Sequence, residues 1–309
     1  FKAYNKKNYF LNSTFFNNSN LNYYDLISKN NSSDVAIEFI GENKFKEIIT
    51  YGDLNKRINA LSNFFQSLGI KKGDVVVGYL PNIPDTIISF LSAAKIGAVW
   101  SSCSADFGTQ AVIDRFSQLK PKLLIIADHY FYNGKRFDYS KNLKLLKQSL
   151  NNPRILKTSY PSNKSTSQFK KIITQKKYKK INQHVLLDFN HPLYVLFSSG
   201  TTGLPKCITH GHGGSLLQHL KELALHTNVK SKDKMLFLTT CGWMMWNWTV
   251  SNLLLGSTIV LYDGSPFYPN TNRVFSMPKV IKSTRLGHGE KIYELIQNKY
   301  KSNKKNVLK

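Results

Sequence analysis

The sequence predicts a layered α/β fold in which largely parallel sheets are covered by helices. The first observation is that short apolar runs alternate with helical stripes between residues 75 and 127, as in right-handed strand–helix–strand crossovers. The second is that apolar runs and an amphipathic stripe follow one another again after residue 190. The chain has 309 residues, 41% of them hydrophobic, which is enough to bury a large core.

Changes in composition divide the chain into four parts. The N-terminal residues are rich in Asn, Tyr and Lys without a regular period, so we expect an irregular arm that wraps the domain. Lysines accumulate and apolar periodicity fades before residue 184, which indicates an exposed connector. The predicted parts are an arm (1–34), a first α/β subdomain (35–158), a basic connector (159–183) and a partial second α/β subdomain (184–309).

The first subdomain is expected to open with a hairpin and a capped helix. Thr50 and Asp53 have the spacing of a capping box, and apolar residues recur at helical intervals until Gly69. Pro84 lies where the next helix should start, a position that proline favours. Predicted strands cover 35–40, 45–50, 75–80, 98–102 and 123–127, and predicted helices cover 54–68, 84–94, 111–119 and 142–150.

In the second subdomain an apolar run stops at small and hydroxyl residues and resumes after a lysine. This pattern predicts a strand, a loop and a second strand, followed by an amphipathic helix that begins near Gly213 or Gly214. The remaining predicted elements are strands over 235–239 and 257–262, an aromatic helix over 243–255 and a helix from residue 292 onward.

The loop 198–205 fits neither a helix nor the interior of a sheet. Gly200 and Gly203 allow positive φ and leave backbone N–H groups accessible, and Lys206 adds a positive charge. Four hydroxyl donors accompany them: Ser198, Ser199, Thr201 and Thr202. Such a set of donors predicts a site for phosphate oxygens. Its spacing is not that of the Walker loop, so a different nucleotide-binding family is indicated.

The segment Ser-Ser-Gly-Thr-Thr-Gly-x-Pro-Lys resembles the phosphate loop of adenylate-forming enzymes, a family that includes the acyl-CoA synthetases. The resemblance runs from about residue 20 to residue 270, and its most specific block is Gly242–Asn247. The blocks 49–54, 95–108 and 114–122 look like those of the acetate-activating type of acyl-CoA synthetase. The blocks most similar to the acetoacetate-activating branch of this family are 100–108, 132–135, 200–206, 210–214, 239–247 and 261–266. The fold implied is the large N-terminal domain of these enzymes.

The resemblance implies an AMP-forming acid–CoA ligase with ATP and Mg²⁺ as cofactors and coenzyme A as co-substrate. Acetoacetate would attack the α-phosphorus of ATP, and coenzyme A would then displace AMP. The residues implied in binding ATP phosphates are Ser198, Ser199, Gly200, Thr201, Thr202, Gly203 and Lys206, with catalytic roles for Thr202 and Lys206. Trp243 and Met244 would border the acyl pocket, and Lys135 and Arg136 would contact coenzyme A phosphates. Metal ligands stay unassigned.

Two alternatives remain open on the same residues. Another short-chain acyl-CoA synthetase, such as one that activates acetate, would differ in its preference among carboxylic acids. A basic nucleic-acid-binding protein would agree with the net charge of +25, and its binding would fall steeply with salt. The basic connector, however, lacks an arginine cluster, and the lysine content is consistent with a compositional bias. We therefore expect small-molecule substrates, without a nucleic-acid partner.

Several single residues have competing explanations. His210 and His212 have H-x-H spacing, but no third metal ligand is apparent, so packed or loop roles are favoured. Cys207 follows Lys206, yet its position in a strand favours a buried thiol over a reactive one. Trp243, Trp246 and Trp248 have a second explanation, which is that they pack in the core. The three cysteines are far apart and indicate neither a disulfide framework nor a zinc site.

The sequence also indicates where the protein is located in the cell and how much of the family's enzyme the chain contains. No apolar run approaches the ~20 residues that cross a bilayer, and no signal peptide opens the chain, so a cytoplasmic protein without a membrane partner is expected. After Pro266 the family's later blocks have no clear counterpart, and the first residue is Phe1. We therefore expect a fragment that is inactive alone and carries the phosphate loop without a complete active site.

Overall fold

The structure is a computed structural model that describes residues 4–5, 14–139, 142–163, 166–175, 185–198, 203–270, 272–290, 292–294 and 297. The strands are β1 Tyr4–Asn5, β2 Thr14–Phe15, β3 Asn20–Leu21, β4 Val35–Gly41, β5 Lys46–Thr50, β6 Val75–Leu80, β7 Val99–Ser104, β8 Leu123–Ala127, β9 His129–Tyr132, β10 Lys135–Asp138, β11 Arg154–Thr158, β12 Leu187–Asp188, β13 Pro192–Phe197, β14 Cys207–Gly211, β15 Lys234–Leu238, β16 Thr258–Asp263 and β17 Arg285–His288. The helices are α1 Tyr24–Ser28, α2 Tyr51–Ser67, α3 Pro84–Lys95, α4 Thr109–Phe116, α5 Leu143–Ser149, α6 Gln168–Thr174, α7 His212–Leu220, α8 Met244–Val250 and α9 Arg273–Val280.

Two large sheets organise the described residues. The first has the order β11-β8-β6-β7-β13-β14, and its pairs are parallel apart from the antiparallel pair β13–β14. The second has the order β17-β15-β16-β4-β5 and is parallel apart from the β4–β5 hairpin. The prediction of layered, largely parallel sheets is therefore confirmed.

Helix α3 lies at the centre of the molecule. All of its residues except Asp85 are buried, as expected for a helix that is covered on every side. Phe90 on this helix contacts four rings with centroid distances of 5.6–6.4 Å, and these belong to Tyr23, Trp100, Tyr194 and Trp246. The core thus joins the first sheet, the N-terminal residues and helix α8.

The residues that predict the starts and ends of helices α2 and α3 occupy those positions in the structure. The Thr50 hydroxyl accepts a hydrogen bond from the Asp53 N–H at 3.2 Å and caps helix α2. Pro84 occupies the first turn of α3. Gly69 and Gly97 follow α2 and α3 with φ of +78° and +73°, values that favour glycine.

Two segments expected to be irregular or exposed contribute to the core. In the predicted arm, α1 buries Tyr24 and Ile27, and five residues are too few to show a helical period in the sequence. In the predicted connector, α6 packs on α2 and buries Phe169 and Ile172, so the expectation of an exposed connector is wrong there. Its lysines at positions 164, 176, 177, 179 and 180 lie outside the described residues.

The proposed subdomain boundaries stay predictions. Each large sheet takes strands from both sides of the connector: β4 and β5 lie in the second sheet, and β13 and β14 lie in the first. The helix expected from residue 292 lies mostly outside the described residues. None of the described helices has the length and hydropathy that a bilayer crossing requires.

Candidate active site at the carboxyl ends of the strands

The predicted phosphate loop joins strands β13 and β14. Its stem is closed by the Ser198 N–H, which donates to the Lys206 carbonyl at 3.0 Å, so these two residues face each other across the base of the loop. Gly203 has φ of +152°, a backbone conformation that residues with a side chain rarely adopt. Lys206 is exposed, and no ion pair among the described residues uses it. Ser199, Gly200, Thr201 and Thr202 lie outside the described residues.

Helix α4 and the turn after it support this loop. The Arg115 guanidinium lies over the rings of Phe107 and Phe197, at 4.9 and 5.9 Å from their centroids. Gln118 donates to the Pro205 carbonyl at 2.9 Å. The loop is therefore held at both ends by residues of one sequence block, 114–122, and Arg115 places a second cation beside its stem. This block resembles the family in sequence, but no local sequence signal indicates that Arg115 lies beside the loop.

The predicted acyl-pocket residues stand at the start of helix α8. Trp243 precedes the helix with extended backbone and is 58% exposed, and Met244 is 44% exposed. Trp246, three residues later, is 1% exposed and donates its indole N–H to the Asn82 side chain at 2.9 Å. Of these aromatics, Trp246 belongs to the core, whereas Trp243 is available to a ligand.

Phe107 connects the two predicted regions. The Arg115 guanidinium, which lies beside the phosphate loop, covers the Phe107 ring. A Cβ atom placed on Gly242 would lie 3.4 Å from the tip of the Phe107 ring. The turn that carries Trp243 and the stem of the phosphate loop therefore both adjoin the Phe107–Arg115 pair, although about 40 residues separate them in the chain.

A cleft of about 380 Å³ opens where strands of both sheets end. Its floor comes from the residues that follow β6, β7, β15 and β16, and Tyr130, Phe131 and Tyr132 of β9 form an aromatic wall. Carboxyl ends of parallel strands are the usual place for ligands in α/β folds. No single stretch of the sequence indicates this cleft, because its lining comes from six separate segments of the chain.

Two carboxylates line the cleft. Burial raises the pKa of Asp263 to about 6, and the nearby Glu42 and Asp106 carboxylates contribute to this increase. Burial also raises the pKa of Asp106. Asp263 accepts a hydrogen bond from the Asn82 N–H at 2.7 Å, which joins the end of β16 to the turn before α3.

The hairpin β9–β10 carries Lys135 and Arg136 on its exposed strand. The Glu42 carboxylate anchors its tip by accepting from the Gly134 N–H at 2.7 Å, and it accepts from the Ser265 N–H at 2.6 Å. The same hairpin supplies the aromatic wall of the cleft. The two cations thus stand on an element that is fixed beside the cleft, while neither of them lines it.

The structure also shows the surroundings of His210, His212 and Cys207, the candidates for a metal site or a reactive thiol. Burial lowers the pKa of His212 to about 3, and its Nδ1 accepts from the Tyr23 N–H at 3.1 Å. His210 stacks on Tyr194 at 4.9 Å. Cys207 lies in strand β14 as predicted but is exposed, because β14 is an edge strand, so the expectation of a buried thiol is wrong. In the described ranges, His, Cys, Asp and Glu form no group of three that could hold a metal.

Comparison with known proteins identifies one family. Residues 28–288 match the model of the AMP-binding enzymes. The acetoacetyl-coenzyme A synthetase of Rhizobium meliloti (strain 1021) is 39% identical over 304 residues, which are 93% of this chain and 45% of that protein. The acetoacetyl-CoA synthetase of Rattus norvegicus is 38% identical over 299 residues, which are 92% and 44% of the two chains.

A solved structure agrees with these relatives. The acetoacetyl-CoA synthetase from Streptomyces lividans superposes with a TM-score of 0.85 at 34% identity, over 93% of this chain and 45% of that chain. The chain therefore spans a little under half the length of the relatives that it matches.

Proposed function

Because the chain belongs to the AMP-binding enzyme family, we propose that its protein activates acetoacetate with ATP and transfers the acyl group to coenzyme A. In the first step a carboxylate oxygen of acetoacetate bonds to the α-phosphorus of ATP, and pyrophosphate leaves. In the second step the coenzyme A thiol loses its proton, the sulfur bonds to the acyl carbon, and AMP leaves. The products are acetoacetyl-CoA, AMP and pyrophosphate.

One observation carries this proposal: the turn before Trp243 adjoins Phe107, and the Arg115 guanidinium lies over both the Phe107 ring and the Phe197 ring at the stem of the phosphate loop. A triphosphate held by the loop and an acid beside Trp243 would then be close enough to react. Displacement at phosphorus depends mainly on positioning and on neutralising charge, and needs no nucleophilic side chain. A loop of hydroxyls and amides with Lys206 and Arg115 nearby suits that requirement.

We propose that the loop 198–206 binds the phosphates of ATP. Ser198, Gly203 and Lys206 surround the base of the loop, and Ser199, Gly200, Thr201 and Thr202 would complete it around the β- and γ-phosphates. Lys206 would stabilise the charge that develops on pyrophosphate, and Thr202 would donate its hydroxyl to a phosphate oxygen. Mg²⁺ would arrive with ATP, since this ion commonly keeps phosphate and water ligands and needs few from the protein.

The acid and coenzyme A would occupy different parts of the site. Trp243 and Met244 would border acetoacetate with an apolar wall, which agrees with their exposure at the start of α8. The cleft next to β9 would take coenzyme A, whose phosphates would meet Lys135 and Arg136 on the same hairpin. The aromatic wall and the mixed polar floor of the cleft fit a ligand with both apolar and hydrogen-bonding parts.

The proposal is tested by acid-dependent pyrophosphate release from the full-length protein. We expect release with ATP, Mg²⁺ and acetoacetate, slower release with acetate, and thioester formation once coenzyme A is added. Pyrophosphate release that does not depend on any acid would contradict the proposal, and so would a preference for acetate over acetoacetate.

A further inference from the structure

The run Ser101–Ser104 on strand β7 forms side-chain hydrogen bonds to other parts of the fold, and Ser104 also lines the cleft. Successive side chains of a strand point to opposite faces, so Ser102 and Ser104 share one face and Ser101 lies on the other. The Ser101 hydroxyl donates to the Val195 carbonyl on β13 at 2.7 Å. It therefore joins two neighbouring strands inside the first sheet.

Ser102 and Ser104 instead bond to the turn 240–243 that leads into helix α8. The Ser102 hydroxyl donates to the Cys241 carbonyl at 2.6 Å. The Ser104 hydroxyl accepts from the Gly242 N–H at 3.2 Å and pairs with the Thr240 hydroxyl. Both serines are buried, and the Ser102 bond is fully buried, whereas Thr240 and Gly242 are half-buried.

The turn determines where the Trp243 ring projects. Trp243 has extended backbone just before α8, and its N–H donates to the Thr240 carbonyl at 3.2 Å. More than half of its side chain is exposed, so packing around the ring contributes little to its position. The backbone of residues 240–242 is thus the main constraint on Trp243, and β7 holds that backbone.

We propose that Ser102 and Ser104 are positioning residues that set the preference for the carboxylic acid through Trp243. This inference rests on the proposed function. Removing the Ser104 hydroxyl leaves the half-buried Gly242 N–H without its acceptor, and removing the Ser102 hydroxyl leaves the carbonyl of the buried Cys241 without its donor. A buried group without a partner is unfavourable, so the turn relaxes until it finds one, and the ring moves with it.

The experiment compares Ser102→Ala and Ser104→Ala with a matched control, Ser101→Ala. The control removes an equally buried hydroxyl of the same strand that bonds to β13 instead of the turn. In the full-length protein, pyrophosphate release is measured with acetoacetate and with acetate. We expect the ratio of kcat/KM for the two acids to change about tenfold in the test variants, which corresponds to one or two lost hydrogen bonds. Ser101→Ala should leave the ratio unchanged.

A double-mutant cycle separates positioning from general structural damage. If the serines act through the tryptophan, Ser104→Ala should no longer alter the acid ratio when it is combined with Trp243→Ala. Equal effects of Ser104→Ala in the presence and absence of Trp243, or equal ratios for the Ser101 and Ser104 variants, overturn the inference. Ser102→Ala provides the same comparison if Ser104→Ala does not fold.

A measurement without substrate makes the inference independent of the reaction. Acrylamide quenching of tryptophan fluorescence reports mainly on exposed rings, and Trp243 is more exposed than Trp100 or Trp246. We expect Ser104→Ala to change the quenching constant, and the change should vanish in a Trp243→Phe background. Identical quenching in the Ser101 and Ser104 variants overturns the positioning role. Absence of pyrophosphate release from the unmodified protein with every acid overturns the proposed function alone.

Discussion

The indole N–H of Trp246 donates to the side-chain oxygen of Asn82 at 2.9 Å, although the two residues are 164 positions apart in the chain. The Asn82 backbone N–H donates to Asp263, and its side-chain amide donates to the Tyr262 carbonyl at 3.2 Å. One asparagine thus links the end of β6, the end of β16 and helix α8. This link holds the two sheets together at the edge where the candidate site lies.

We expect Asn82→Ala to destabilise the fold. The substitution leaves the buried Trp246 N–H without an acceptor, and an unsatisfied buried donor costs ~1–3 kcal/mol. The change is measured as the free energy of unfolding in urea. Asn163→Ala, at an exposed turn, is the control and should change stability by at most ~0.5 kcal/mol. A similar small change for both variants would show that the Asn82 link is unimportant for stability.

We expect Lys206→Ala to slow acid-dependent pyrophosphate release. Removing the cation leaves the charge on the departing pyrophosphate less stabilised, and a charged hydrogen bond contributes ~1.5–3 kcal/mol, or roughly 10- to 150-fold in rate. Release is followed with saturating acetoacetate in the full-length protein. Lys56→Ala, at an exposed position of α2, serves as the control. Unchanged turnover in Lys206→Ala would remove this residue from the mechanism.

We expect Trp243→Ala to alter the preference among acetate, acetoacetate and longer acids more than the KM for ATP. The substitution would enlarge the proposed acyl pocket and would remove none of the proposed phosphate donors. Because Trp243 is largely exposed, its loss should also leave the unfolding midpoint nearly unchanged, whereas loss of the buried Trp246 side chain should cost ~3–5 kcal/mol. An equal loss of activity with all acids, together with lower stability, would assign Trp243 to the core.

We expect Asp263→Asn to change how stability depends on pH. The pKa of Asp263 is about 6 in the folded state, above its ordinary value of 3.8, chiefly because the carboxyl is buried. The folded protein therefore binds this proton more tightly, so the contribution of Asp263 to stability is full below pH 3.8 and is lost as pH rises through about 6.

The test compares the two proteins across that interval. Asparagine keeps an oxygen that can accept from the Asn82 N–H and does not ionise in this range. The difference in free energy of unfolding, Asp263→Asn minus the unmodified protein, should increase from pH 4 to pH 7 and then level off. A difference that stays constant over this range would show that Asp263 titrates normally.

The sequence located the parts of the site that are continuous in the chain. The strand–loop–strand pattern around Lys206 and the aromatic block at Trp243 were both recognisable, since each is a short run of residues with a clear chemical purpose. Their confirmed elements are β13, β14 and α8. Whether the residues named in the loop and acyl pocket act as proposed is a matter for the experiments above.

Other features depended on residues far apart in sequence. Arg115 stands by the phosphate loop because α4 packs beside the end of β13, and no local pattern indicates that neighbour. Cys207 lies in a strand, as predicted, but it is exposed because β14 is an edge strand. Only the order of the strands in the sheet shows that β14 lies at the edge. The buried residues of α1 and α6 were missed because their helices are short and depend on packing for stability.

By itself the sequence determined the alternation of strands and helices, the family and the position of the loop that we propose binds phosphate. These depend on local periodicity, on turn residues and on contiguous motifs. The tertiary structure decided which strands neighbour each other, and so which side chains meet at their carboxyl ends. Sheet order brings Asn82, Ser104, Thr240 and Asp263 to one cleft from four separate strand ends. Because long-range strand pairing is selected by burial over the whole core, no single stretch of the chain specifies it.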